Sequence, residues 1–286
     1  MIGRLAIVPA LLALLLVGEA DASAGWERGS VARRAGTVEA ILSYDRRQTE
    51  LGLLPATDYR RVRLLVRRAG KVVIDSPLRA PIQGFHTTLE LTLRDVWDQA
   101  GPQAVVRASS CGNRCGEQLV VGLIGSGGRG RVLVHDFGGG LPGTDTGWRG
   151  QRREGTFYFV SRDQRFFCVF TDCASSTTPI QVFAIDKSGH RFVDVSRTRP
   201  DLITADATAL FDQYEREIRS KEYRTKNRAG YDPMGVLGPW CADQYLLARA
   251  SVCRQIVARA AADGYLTNGT RGAINSFSKT LTAWGY

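Results

Sequence analysis

Between Thr37 and Ser196 the chain is a succession of short apolar runs, each long enough for one strand and closed by Gly, Pro, Asp or Ser. The runs are Thr37–Tyr44, Arg61–Arg68, Lys71–Asp75, Thr88–Leu93, Gln103–Ser109, Glu117–Ile124, Arg131–Phe137, Gly155–Ser161, Arg165–Thr171, Ile180–Asp186 and Arg191–Ser196. No helical pattern separates them. Parallel strands need a long crossover, usually a helix, so strands this closely spaced pair antiparallel. Ala69-Gly70-Lys71 and Asp186–His190 read as hairpin turns. Residues 25–36 are polar and basic and show no strand pattern.

The region also echoes itself. A shift of 62 residues lays Val106 on Cys168, Cys111 on Cys173 and Val120 on Val182. Upstream, Leu93–Asp95 corresponds to Ser161–Asp163. Two meanders of one design predict blade-like sheets.

From about residue 200 the period changes. Leu210, Phe211, Tyr214 and Ile218 recur at helical spacing behind Asp206, a candidate N-cap. Glu215, Glu217 and Glu222 lie among arginines and read as a solvated helix face. Further helical text runs from Trp240 to near Gly264. The predicted fold is mainly β, with blade-like antiparallel meanders forming a partial or closed propeller, followed by a C-terminal helical segment. The expected divisions are a β-repeat domain over 25–200 and a helical region over 201–286 packed on it.

The N-terminus predicts export. Arg4 precedes an apolar run from Leu5 to Val17, and Ala22-Ser23-Ala24 supplies a signal-peptidase pattern, so residues 1–24 read as a cleaved signal peptide. The run is shorter than the roughly 20 residues that span a bilayer. Removing Arg4, Glu19 and Asp21 with it raises the net charge from +10 to +11. All but five of the 38 basic residues are arginine. They are dispersed, with no aromatic-interleaved stripe, which argues against nucleic acid; a basic exported protein suits an anionic envelope component or a protein partner.

Six cysteines in an exported chain form an even set: Cys111, Cys115, Cys168, Cys173, Cys241 and Cys253. They fall into three local pairs, which makes 111–115, 168–173 and 241–253 the simplest pairing; Cys168 and Cys173 could instead bond to the first pair across stacked blades. Cys111 and Cys115 have three residues between them, unlike the two of a redox pair, and the glycine and asparagine between them favour a turn rather than a helix start. A zinc site needs four ligands, and His86, His135 and His190 are isolated. On one straight helix Cys241 and Cys253 would stand about 18 Å apart at 1.5 Å per residue. A disulfide needs Cα atoms within about 7 Å. Either the segment folds back near Arg249–Ser251 as a helical hairpin, the reading favoured here, or these cysteines pair elsewhere.

No catalytic set stands out. Gly125-Ser126-Gly127 matches neither a nucleophile elbow nor a phosphate loop. Phe137–Trp148 is a glycine-rich candidate functional loop, with His135 and Asp136 at its base and Trp148 at its end. His135 itself, in phase within a strand, reads as structural.

The runs "YRRVRLLVRRAGKVVIDSPL", "LTLRDVWDQAGPQAVV" and "FYFVSRDQRFFCVFTDCASSTTPIQVFAIDKSGHRFVDVSRTRPDLI" resemble bacterial secreted proteins with degenerate FG-GAP/VCBS-type (integrin-α N-terminal-like) repeats. The resemblance spans roughly residues 38–265. It implies a β-repeat fold followed by helices, and an exported habitat. Repeats of this type carry an acidic calcium loop. Here only Asp95 keeps a carboxylate at a first-ligand position, Trp97 and Gln99 replace the next two, Asp98 is out of phase, and Asp163 in the second copy lacks partners. Calcium is disfavoured, and no other cofactor or metal is expected. The expected function is an exported, non-catalytic envelope or extracellular binding protein. The alternative is a secreted hydrolase with dispersed residues.

Overall fold

A computed structural model describes residues 25–51, 54–78, 88–97, 101–111, 115–125, 127–140, 148–171, 176–219, 233–266 and 270–286. The signal segment 1–24, Cys173, Asp98, Gln99 and most of the loop before Trp148 lie outside the described residues.

Twelve strands form three four-stranded antiparallel sheets, each a simple meander. The first holds β1 (Glu27–Ala35), β2 (Val38–Leu51), β3 (Leu54–Arg68) and β4 (Lys71–Pro77). The middle sheet holds β5 (Thr88–Arg94), β6 (Gln103–Cys111), β7 (Cys115–Ile124) and β8 (Gly130–Gly140). The third holds β9 (Arg149–Arg153), β10 (Thr156–Arg162), β11 (Ile180–Ile185) and β12 (Phe192–Asp194). Helices α1 (Pro200–Arg219), α2 (Met234–Leu246), α3 (Ala250–Ala262) and α4 (Thr270–Ala283) follow.

Alternation of side chains along each strand explains the layering. In the middle sheet, Leu91, Ala104, Val106, Val120 and Ile124 pack on Ala40, Leu42, Leu64 and Val66 of the first sheet. The opposite phase, Val105, Leu119, Val121 and Leu123, packs on Phe159 and Ile185 of the third. Both faces of β6 and β7 are therefore covered, which is why those runs are almost continuously apolar. Each buried Val, Leu or Phe contributes roughly 1.5–3 kcal/mol by leaving water. At Gly130, a Cβ would lie 2.4 Å from the Val73 carbonyl oxygen. Glycine there permits the close approach of the first two sheets.

The far face of the third sheet, Val160, Ile180 and Val182, meets Ile203 of α1. The helices build their own core around Leu210, Leu237, Trp240, Val257 and Leu281. The order of layers is first sheet, middle sheet, third sheet, helices. Among the described residues the sheets close no ring, so the closed propeller among the expected forms is not present.

Two strands depart from the expectation. Residues 27–35, which carry no apolar alternation, form β1 because β2 offers them a complete ladder from Glu27↔Arg46 to Ala35↔Val38. Residues 149–153 likewise form β9 on β10. Arg165–Thr171, by contrast, is no strand: Gln164–Phe166 is a 3-10 turn capped by the Asp163 carboxylate, and Phe166 enters the helical core. The run is apolar because it plugs the helices.

The echo holds in part. Val106 faces Val120 across β6 and β7, and Val160 faces Val182 across β10 and β11. Val120 and Val182 thus occupy corresponding third strands, as expected, but the counterpart of Val106 is Val160 and not Cys168. The third sheet carries the longer second connection, from Arg162 to Ile180, and Cys168 belongs to it.

Cys241 and Cys253 are bonded, with Cα atoms 5.1 Å apart, because α2 stops at Leu246 and α3 turns back from Ala250. Ala248 takes φ 58° in the turn. Cys168 is also disulfide-bonded, and no described cysteine is free. The backbones of Cys111 and Cys115 stand directly opposite each other in the β6–β7 ladder. No helix among the described residues is long and apolar enough to cross a membrane.

Candidate functional site: an arginine-lined cavity

β10 outruns β9. Its pairing with β9 begins at Val160↔Arg149, while its pairing with β11 extends to Arg162↔Ile180. Ser161 and Arg162 therefore have no β9 partner in the ladder. A cavity of about 120 Å³ lies there, lined by Arg107, Trp148, Arg149, Val160, Ser161, Arg162 and Ile180. That is room for several waters or one small polar group.

The fold brings these side chains together from separate strands. Arg107 shares the phase of Val105 on β6, which places it on the middle-sheet face turned toward the third sheet. Its Nη2 donates to Glu117 Oε2 at 3.0 Å. Glu117 is only 4% exposed, and burial pushes its carboxyl up in pKa against the pull of Arg107 and of the Trp148 backbone N–H. Arg162 Nη1 donates to Asp206 Oδ2 at 2.9 Å and to the Thr178 carbonyl at 2.7 Å. Asp206 also accepts from the Ile180 amide at 3.1 Å, so α1 fixes Arg162 against the third sheet. Arg149 is exposed and has no ion-pair partner among the described residues.

Two lining residues hold unspent donors. Trp148 is 9% exposed and Ser161 is 3% exposed. Trp148 Nε1 and Ser161 Oγ are buried and make no hydrogen bond. An unpaired buried donor costs roughly 1–3 kcal/mol, and buried polar groups in folded proteins nearly always find a partner. The Trp148 ring is held by Phe159, at 5.1 Å between centroids, and by the Arg94 guanidinium.

Of the candidate loop residues, only Trp148 reaches this cavity. His135 lies among Phe137, Phe183 and Phe192, with ring centroids 4.3–5.0 Å away. Burial lowers its pKa, and it makes no side-chain hydrogen bond to a described residue. It packs as one more ring of that aromatic cluster. Asp136 caps the Gly138 amide at 2.8 Å.

Asp95 ends β5, where the Arg152 guanidinium binds both its carboxylate and its carbonyl oxygen. The Asp163 carboxylate is taken by Arg165, whose Nε and Nη2 lie 2.6–3.0 Å from its oxygens, and by the Tyr286 hydroxyl. Asp163 is thus held by Arg165, two residues on, and by Tyr286, which follows α4. Among the described residues no group of three or more His, Cys, Asp or Glu side chains is placed to hold a metal.

Arg107, Arg149, Ser161 and Arg162 were not singled out by sequence. The available signal was phase: Arg107 and Glu117 occupy inward positions of otherwise apolar strands, where a charge is rare unless paired. Comparison with known protein families, with curated proteins and with solved structures finds no match.

Proposed function

We propose that this is an exported, non-catalytic binding protein that holds an anionic group of its ligand in the cavity at the β9–β10 edge. The observation that carries the reading is that three arginines line the cavity together with two residues whose buried donors are unpaired, the Trp148 indole N–H and the Ser161 hydroxyl. Such a lining accepts negative charge, and among the described lining residues no base stands beside the Ser161 hydroxyl. The signal-like segment at 1–24 and the disulfides support export. The stacked four-stranded meanders support a relationship to degenerate FG-GAP/VCBS-type repeats, with ligand contact at strand ends.

The test is co-sedimentation of the mature protein with isolated envelope polymers, alongside Arg149→Gln. Retention that the variant loses by several-fold supports the reading. Equal retention of both proteins, or turnover of ester, peptide or glycan substrates, overturns it.

A further inference from the structure

The charges around the cavity narrow the ligand. Glu117 neutralises Arg107, and Asp206 neutralises Arg162. Of the three lining arginines, Arg149 alone has no ion-pair partner among the described residues, so the described lining presents one net positive charge. Beside it stand two neutral donors, the Trp148 indole N–H and the Ser161 hydroxyl.

We propose that the group bound here is a single carboxylate, and not a phosphomonoester. This rests on the anion-binding reading above. A carboxylate brings one negative charge, which Arg149 balances, and two oxygens, which match two neutral donors. A phosphomonoester brings nearly two negative charges and a third oxygen near neutral pH. Its second charge would meet guanidinium groups already committed to Glu117 and Asp206, and those carboxylates would repel it.

The same carboxylate can belong to a free acid or to a uronate-bearing polymer. The experiment follows the Trp148 indole N–H resonance of the mature protein, assigned by Trp148→Phe, during titration with acetate, glucuronate, polygalacturonate and inorganic phosphate. Acetate and glucuronate are expected to shift that resonance, with phosphate at least about tenfold weaker, equivalent to about 1.4 kcal/mol. Arg149→Gln should weaken glucuronate by about tenfold, and Ser161→Ala by a few-fold, with each variant's remaining spectrum unchanged. Tighter binding of polygalacturonate per carboxylate assigns the polymer, and equal binding assigns the free acid; both outcomes keep the carboxylate. Phosphate binding more tightly than glucuronate overturns the carboxylate while leaving an anion site. No shift with any of the four overturns the site as well.

Discussion

The hydroxyl of Tyr286 donates to Asp163 Oδ2 at 2.7 Å across 123 residues of sequence. This bond, with Arg165 Nη1 to the Trp284 carbonyl and Arg197 Nη2 to the Gly285 carbonyl, ties residues 284–286 to the end of the third sheet. Burial and the facing Asp163 carboxylate push the Tyr286 phenol far above its usual pKa, so it remains a donor at any working pH.

Tyr286→Phe should therefore destabilise the protein by about 1.5 kcal/mol, the lower end for a bond to a charged acceptor. Asp163 keeps Arg165, so the loss stays modest. Chemical denaturation of the two proteins checks this, and an unchanged midpoint would sink the idea that the tail is fastened through Asp163.

A second prediction concerns Asp243 on α2. It is wholly buried, and burial, followed by the charge of the neighbouring Asp206 carboxylate and a hydrogen bond with it, raises its pKa well above normal. The folded state then holds a proton that the unfolded state releases above about pH 4. That differential costs stability as pH rises from about 4 through the raised folded value. Asp243→Asn should match the parent below pH 4 and be more stable at pH 7, by at least about 1 kcal/mol. Melting curves across that range decide it; a variant less stable at pH 7 would mean that the ionised carboxylate is needed.

His135 gives the opposite slope. Its folded pKa is lowered, chiefly by burial among aromatic rings. The unfolded chain binds a proton near pH 6.5 before the folded chain does, so stability falls as pH drops from about 7 through the lowered value. His135→Phe should flatten that acid slope. It should also leave the Trp148 indole response to glucuronate intact, because His135 does not line the cavity.

Reduction of Cys241–Cys253 removes a clip on a hairpin with a sequence separation of 12. Cys253→Ala, combined with Cys241→Ala, should cost about 2–3 kcal/mol and loosen α3 before the sheets. Hydrogen exchange resolved by segment tests the order; simultaneous opening of α3 and β7 would contradict it.

Much of this architecture was legible because β-strand physics writes itself as short apolar runs. Ten of the twelve strands coincide with such runs or their turns. β1 and β9 were not legible, since Glu27–Ala35 and Arg149–Arg153 are polar edge strands that a ladder partner, and not their own composition, puts in place. Phe166 misled in the other direction: an aromatic that serves a helical core looks, in sequence, like one that serves a sheet. Trp148 was recognisable as the end of a glycine-rich loop. Its companions were not, because Arg107 and Arg162 reach the same cavity only after two sheets pack, and nothing local to either residue encodes that meeting.

The two outer boundaries of the sheet stack differ from its interior. The open face of the first sheet carries Glu39 between Arg34 and Arg67, and Arg63 against Asp75. The opposite boundary is covered by α1. One boundary of the stack is therefore charged and the other is covered by a helix. A further layer laid over the open face of the first sheet would bury those ion pairs.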